Sequence, residues 1–251
     1  MQITIADRPE MEQGWLNPEE QPVTFQIALV GSDGLVVGSD QKAVFGRTVD
    51  GKLQFPQQLH QKKYFTSDDG SVTCFAAGGH AAMNLAVKIV SLCDPVKLPS
   101  ESRWTDLVRQ LAASEMAPYS TPDELLVVRR DTATAFWLVS RRTAGDTNTI
   151  AGQKHVYQTV QKISEHVSTG ASVAAKFLPQ HLWKPNKSIA ELKKLALLTM
   201  SYAAREEPSF VGPPFDIMTL DKGEIIEWSE NDPINDKFQP GLERLFGDLS
   251  E

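Results

Sequence analysis

The chain has 251 residues, 41% of them hydrophobic, and a net charge of −7 with a sequence pI near 5.3. That is enough apolar material for one large core or two small ones. The acidic balance argues against a nucleic-acid partner, and no apolar run is long enough to span a membrane.

Residues 1–23 are polar and rich in proline and acid. They read as an extended arm or propeptide-like segment ahead of one domain, 24–251. Asp7, Glu10 and Glu12 interrupt the first residues, which speaks against a secretory signal peptide. Two cysteines, Cys74 and Cys93, with no CxxC spacing suit a reducing cytoplasm and fit neither a disulfide scaffold nor a zinc cluster. A cytoplasmic protein without cofactor or metal is the expectation.

Residues 24–30 and 35–39 are predicted strands joined by the turn Gly31-Ser32-Asp33-Gly34, and their unbroken apolar character predicts burial on both faces. Residues 43–61 are polar, with Gly46, Gly51 and Pro56, and predict a loop or an irregular hairpin. Lys63–Phe65 and Ser71–Ala77 form a second strand pair around Asp68-Asp69-Gly70. Gly78-Gly79 punctuates, and His80–Val90 follows with helical spacing.

Ser102–Met116 predicts a second helix, with Leu107, Val108 and Leu111 on one face. Leu125–Val128 and Ala135–Val139 flank a turn at Arg130-Asp131-Thr132, and Thr149–Ala151 is a short strand. Val156–Leu178 reads as helical, interrupted near Gly170, and Pro179–Lys187 as a loop. Ser188–Arg205 is a helix with Ser188 as its cap and Glu191 three residues on as a capping-box partner. Phe215–Leu220 and Glu224–Trp228 form a last hairpin around Asp221-Lys222-Gly223. Strand pairs alternating with helix pairs, without βαβ units, predict an α+β fold: a four-layer αββα sandwich with two antiparallel sheets between two helix layers.

The first hairpin begins on Thr24 and ends on Asp40, and Asp33-Gly34-Leu35-Val36-Val37-Gly38-Ser39-Asp40 spells D-G-x-V-x-x-x-D behind that threonine. Lys63 followed by a strand and Ala77-Gly78-Gly79, ELLVVRRDTATAFWLV, and SIAELKKLALLTMSYAAREEPS before FDIMTLDKGEI continue the pattern. In this order the chain resembles the proteasome-type N-terminal nucleophile (Ntn) hydrolases, the 20S proteasome subunit-like family, from about Thr24 to Trp228.

The resemblance implies a threonine-type hydrolase of peptide or amide bonds, active only once the chain is cut before Thr24. The new α-amine would then serve as base for the Thr24 hydroxyl. Lys63 would tune that pair, Asp40 would hold Lys63, and backbone N–H groups at Gly78 or Gly79 would stabilise the oxyanion. Glu206 and Ser209 stand where the family carries a later Asp and Ser. A homo-oligomer or a ring with related subunits, and a peptide substrate, are implied as partners, with neither nucleic acid nor membrane.

Other readings stay open beside these. Thr24 is also an ordinary strand opener, and Lys62 competes with Lys63 for the lysine position. Gly78-Gly79 also serves as plain punctuation, and Glu206-Glu207 as a solvated helix end. Val23, β-branched behind Pro22, stands where active subunits usually carry Gly, and Ala151-Gly152-Gln153 lacks the family's serine. Both features favour the alternative function, a non-catalytic proteasome-type subunit or scaffold that keeps residues 1–23.

Overall fold

The computed structural model describes residues 24–49, 52–77, 80–93, 106, 107, 110, 123–142, 156–170, 174–221 and 224–230. In chain order the elements are β1 (Phe25–Val30), β2 (Gly34–Asp40), β3 (Lys42–Val49), β4 (Lys52–His60), β5 (Tyr64–Thr66), β6 (Val72–Ala77) and α1 (His80–Cys93). There follow β7 (Asp123–Arg129), β8 (Thr134–Arg142), β9 (Val156–Lys162), β10 (His166–Gly170) and a 3-10 turn at Ala174–Lys176. The last are α2 (Phe177–Leu182), α3 (Ile189–Glu206), β11 (Phe215–Asp221) and β12 (Glu224–Glu230).

The strands make two five-stranded antiparallel sheets, β10-β1-β2-β11-β12 and β5-β6-β7-β8-β9, with β3-β4 as a separate ribbon. Three buried clusters show the stacking. Ala82, Leu85, Ala86 and Ile89 of α1 pack on Val72, Cys74, Leu125 and Val127 of the second sheet. Leu192, Leu195, Ala196 and Met200 of α3 pack on Phe25, Ile27, Leu29 and Val36 of the first. Between the sheets lie Ala28, Leu35, Val37, Phe75, Leu126, Val128 and Leu220. The fold is thus an α+β sandwich of two antiparallel sheets with a helix outside each, as the strand and helix order predicts.

Alternation along the strands explains the layering. In β1 the odd residues Phe25, Ile27 and Leu29 face α3 and Ala28 faces the other sheet. The near-absence of polar residues in Phe25–Val30 follows from burial of both faces. Gly38 admits α3, since a Cβ there would stand 2.6 Å from the Met200 sulfur.

Several expectations change. Val156–Leu178 is not a helix: it contains β9, which pairs with β8, and β10, which pairs with β1. Val156, Thr159, Val160, Ile163, Val167 and Thr169 are β-branched and suit two strands, each finding an open sheet edge. Helical structure begins only at Ala174, and α2 occupies part of the expected loop Pro179–Lys187. Residues 43–61 form the irregular hairpin rather than a loop, with a register shift between Phe45 and Arg47. Of Ser102–Met116, residues 106, 107 and 110 are described and helical. Residues 1–23, Gly78, Gly79 and the expected strand Thr149–Ala151 lie outside the described residues. No described helix is long and apolar enough to cross a membrane.

Candidate active site

Thr24 immediately precedes β1 and is buried, at 4% exposure. β1 and β2 pair with Gln26 opposite Ser39, so the next pair outward is Phe25 and Asp40. There the ladder gives way to a side chain: the Phe25 N–H donates 2.8 Å to Asp40 Oδ1. That N–H belongs to the peptide linking Thr24 to Phe25, so Asp40 grips the backbone directly after the threonine.

Lys63 comes to the same carboxylate from the second sheet. Asp40 and Lys63 are 23 residues apart, and the ribbon β3-β4 takes up that length. The ribbon closes at its base, where Gln61 N–H donates to the Gln41 carbonyl at 2.7 Å. The chain enters and leaves at one point, which delivers Lys63 beside Asp40. Its Nζ lies 3.1 and 3.0 Å from Asp40 Oδ1 and Oδ2 and donates to the Lys42 carbonyl at 2.5 Å. The pair is sealed: Lys63 is 2% exposed and Asp40 0%.

Burial sets the electrostatics. It pushes the Asp40 carboxyl from 3.8 up to about 6, against the pull of the Lys63 ammonium and the N–H groups of Phe25 and Lys42. The same burial lowers Lys63 from its ordinary value, while Asp40 draws it back up. Each charge is tolerated only because the other is there. Lys62 points the other way: it is exposed, with its ammonium 5.3 Å from the Tyr64 ring centroid.

A second, half-buried acid lies at this end of the sandwich. Glu124, at the start of β7, accepts the Gly170 N–H at 3.0 Å. Burial raises its carboxyl, against that N–H, the charge of Lys176 and the Thr169 hydroxyl. Gly170 pairs with Phe25 and has φ +81. A Cβ on it would stand 1.6 Å from the Thr24 carbonyl oxygen, so the backbones meet where a side chain has no room. Sequence reasoning missed both residues. The available signal was parity: Glu124 shares a strand face with Leu126 and Val128, which fill the space between the sheets.

The structure brings Thr24, Asp40 and Lys63 to one corner. It does not bring Glu206 or Ser209 into that network: both are exposed, at the end of α3 and in the turn after it. Gly78 and Gly79 follow Ala77 directly but lie outside the described residues. Among the described residues no cluster of His, Cys, Asp and Glu with metal-binding geometry occurs, and Cys74 is buried in the outer core of the second sheet.

No protein-family model and no curated protein sequence matches the chain. Solved structures do. Anbu from Yersinia bercovieri, described as an ancestral beta-subunit, superposes with a TM-score of 0.64 at 16% identity, over 90% of this chain and 97% of that one. Anbu from Hyphomicrobium sp. strain MC1 gives 0.60 at 15% identity, over 90% and 94%. Anbu from Pseudomonas aeruginosa, solved as a helical assembly, gives 0.59 at 16%, over 90% and 94%. At such identities the likeness is one of fold. It also corrects the resemblance to 20S proteasome subunits, because these structural neighbours are Anbu proteins. The order of elements is a property of the fold, so it does not single out one family that carries it.

Proposed function

We propose that the protein is a threonine-type hydrolase of peptide or other amide bonds, with Thr24 as nucleophile once residues 1–23 are removed. The observation that carries this reading is the buried Lys63–Asp40 pair, whose shared Oδ1 also accepts the N–H directly after Thr24. A sealed lysine with its counter-charge is a costly feature in a fold stabilised by apolar burial, and it lies beside the backbone of Thr24, the residue that opens β1.

The chemistry runs as follows. A freed α-amine titrates at about 8, so part of it is neutral at working pH. It accepts the Thr24 hydroxyl proton as the oxygen adds to a carbonyl carbon, and returns a proton to the departing amine. The Lys63 ammonium lowers the α-amine pKa by repulsion and steadies the developing alkoxide. Asp40 keeps Lys63 charged and aimed. A backbone N–H at Gly78 or Gly79 is the oxyanion donor in this reading, and losing one such donor costs about 3 kcal/mol in comparable sites.

The test is the intact mass of the purified full chain. Loss of residues 1–23 in the wild type and retention in Thr24→Ala support the reading. Retention in both leaves the non-catalytic alternative, which Val23 favours by stiffening the backbone at the cut. The reading extends to self-association, by analogy with the helical assembly of the Pseudomonas aeruginosa neighbour. Val87 and Leu92 of α1, 42% and 46% exposed, supply apolar surface for it. A monomeric mass by light scattering at micromolar concentration counts against that extension.

A further inference from the structure

Four strands must keep a fixed spacing for the proposed chemistry, and they do not belong to one sheet. β1 and β2 position Thr24 and Asp40, whereas Lys63 directly precedes β5, which pairs with β6 in the other sheet. Glu124 sits where these parts meet. Its Oε2 reaches across the sandwich to the Gly170 N–H, and Gly170 abuts the Thr24 carbonyl. On its own sheet Glu124 is opposite Ala77, the last residue before Gly78, and the neighbouring Ala76 N–H donates 2.8 Å to the Lys63 carbonyl. One carboxylate therefore links the strand that backs the threonine to the strands that hold the lysine.

We propose that Glu124 is a positioning residue that fixes Thr24, through Gly170, against the lysine-bearing strands of the opposite sheet. This rests on the threonine-hydrolase reading. Glu124 has no role in proton transfer: its Oε2 is occupied by a backbone N–H, and its effect on Thr24 passes through the backbone of Gly170. A serine or glycine at this position leaves the Gly170 N–H without its partner and frees the end of β10 to drift. Reacting groups misplaced by about 1 Å lose on the order of a hundredfold in rate.

The experiment uses a β-lactone on the self-processed protein. The Thr24 oxygen adds to the lactone carbonyl, the ring C–O bond breaks, and the hydroxyl proton passes by way of the α-amine to the released alkoxide. The adduct gains the full mass of the lactone, read by mass spectrometry. Glu124→Ala is expected to lower the maximal labelling rate tenfold to a hundredfold while the half-saturating lactone concentration holds. Glu124→Gln recovers most of that loss, because its amide oxygen still accepts from Gly170. Glu124→Asp keeps the charge but is one methylene short and labels slowly; if Glu124→Ala does not fold, this variant decides. Wild-type labelling in Glu124→Ala or Glu124→Asp, or a Gln variant as slow as Ala, overturns the positioning role while Thr24 chemistry stands. If the wild type takes up no more lactone than Thr24→Ala, the hydrolase reading itself falls and the positioning role with it.

Discussion

The hairpin β1-β2 carries one aspartate at each end, and the two have opposite duties. Asp33, in the turn, is exposed and accepts the Ile189 N–H at 2.7 Å, at the first turn of α3. Around it Ser32 N–H donates to Lys187, and Trp183 Nε1 donates 2.8 Å to the Val30 carbonyl. The Asp33 and Ser32 contacts tie the turn to the start of α3 and the residue before its cap, and the Asp33 anion sits at the positive end of a helix dipole. Asp40, at the open end, is wholly buried and spends its oxygens on an ammonium and on the N–H groups of Phe25 and Lys42. The same residue type in one motif thus serves as a helix cap where water reaches it and as a charged site component where water does not.

The sharpest way to break the comparison is to delete each carboxylate. Asp40→Ala leaves Lys63 buried without its counter-charge and should cost about 3–5 kcal/mol. Asp33→Ala should cost about 1 kcal/mol, the usual loss for a cap. Chemical denaturation of the two variants measures both, and equal losses would erase the distinction.

pH separates them next. The folded-state pKa of Asp40, about 6, lies above the ordinary 3.8, so between those values the folded protein holds more protons than the unfolded chain. This contribution therefore stabilises the fold below about 4 and is lost as pH rises through about 6. Asp40→Asn should flatten that part of the stability–pH curve. Protonating Asp40 also uncouples Lys63, so any Thr24-dependent rate should fall below pH about 6.

A smaller effect tests the turn end alone. Ser188 caps α3, its N–H donates 2.9 Å to Glu191 Oε2, and Glu191 N–H donates back to Ser188 Oγ. Ser188→Ala should cost about 1 kcal/mol by thermal melting without changing Thr24 labelling. The smallest is Lys62→Ala, which removes an exposed cation near Tyr64 and should shift stability by about 0.5–1 kcal/mol, again with labelling intact. A labelling defect in Lys62→Ala matching that of Lys63→Ala would reassign the lysine.

Features set by neighbouring residues were legible in the sequence. Ser188 with Glu191 announces a capping box, and Gly31–Gly34 announces a turn, because each acts within a few residues. The contact of Asp40 with Lys63 was anticipated through the spacing of a known pattern, not through the residues themselves, since nothing local marks a lysine as buried. Val156–Gly170 was misread because its apolar residues fit helical spacing, while the deciding interactions, with β8 and β1, come from distant segments. Glu124 and Gly170 stayed hidden for a related reason. Parity puts Glu124 on one face of its strand, but only the stacking of the sheets shows that this face looks toward Thr24.

The chain between β9 and β10 is three residues long, Ile163 to Glu165, and in that space it passes from one sheet to the other. Ile163 N–H donates to Ala135 on one side, and the Glu165 carbonyl accepts from Val30 on the other. This crossing lies at the turn end, next to the apolar filling of Leu35, Val128 and Leu220. It binds the two sheets as a spine binds the covers of a book. At the fore-edge the covers are held by the Lys63–Asp40 and Glu124–Gly170 clasps, with the long β3-β4 ribbon as slack. The spacing of the sheets is therefore set by a three-residue crossing at Ile163–Glu165 and, at Thr24, by side-chain clasps.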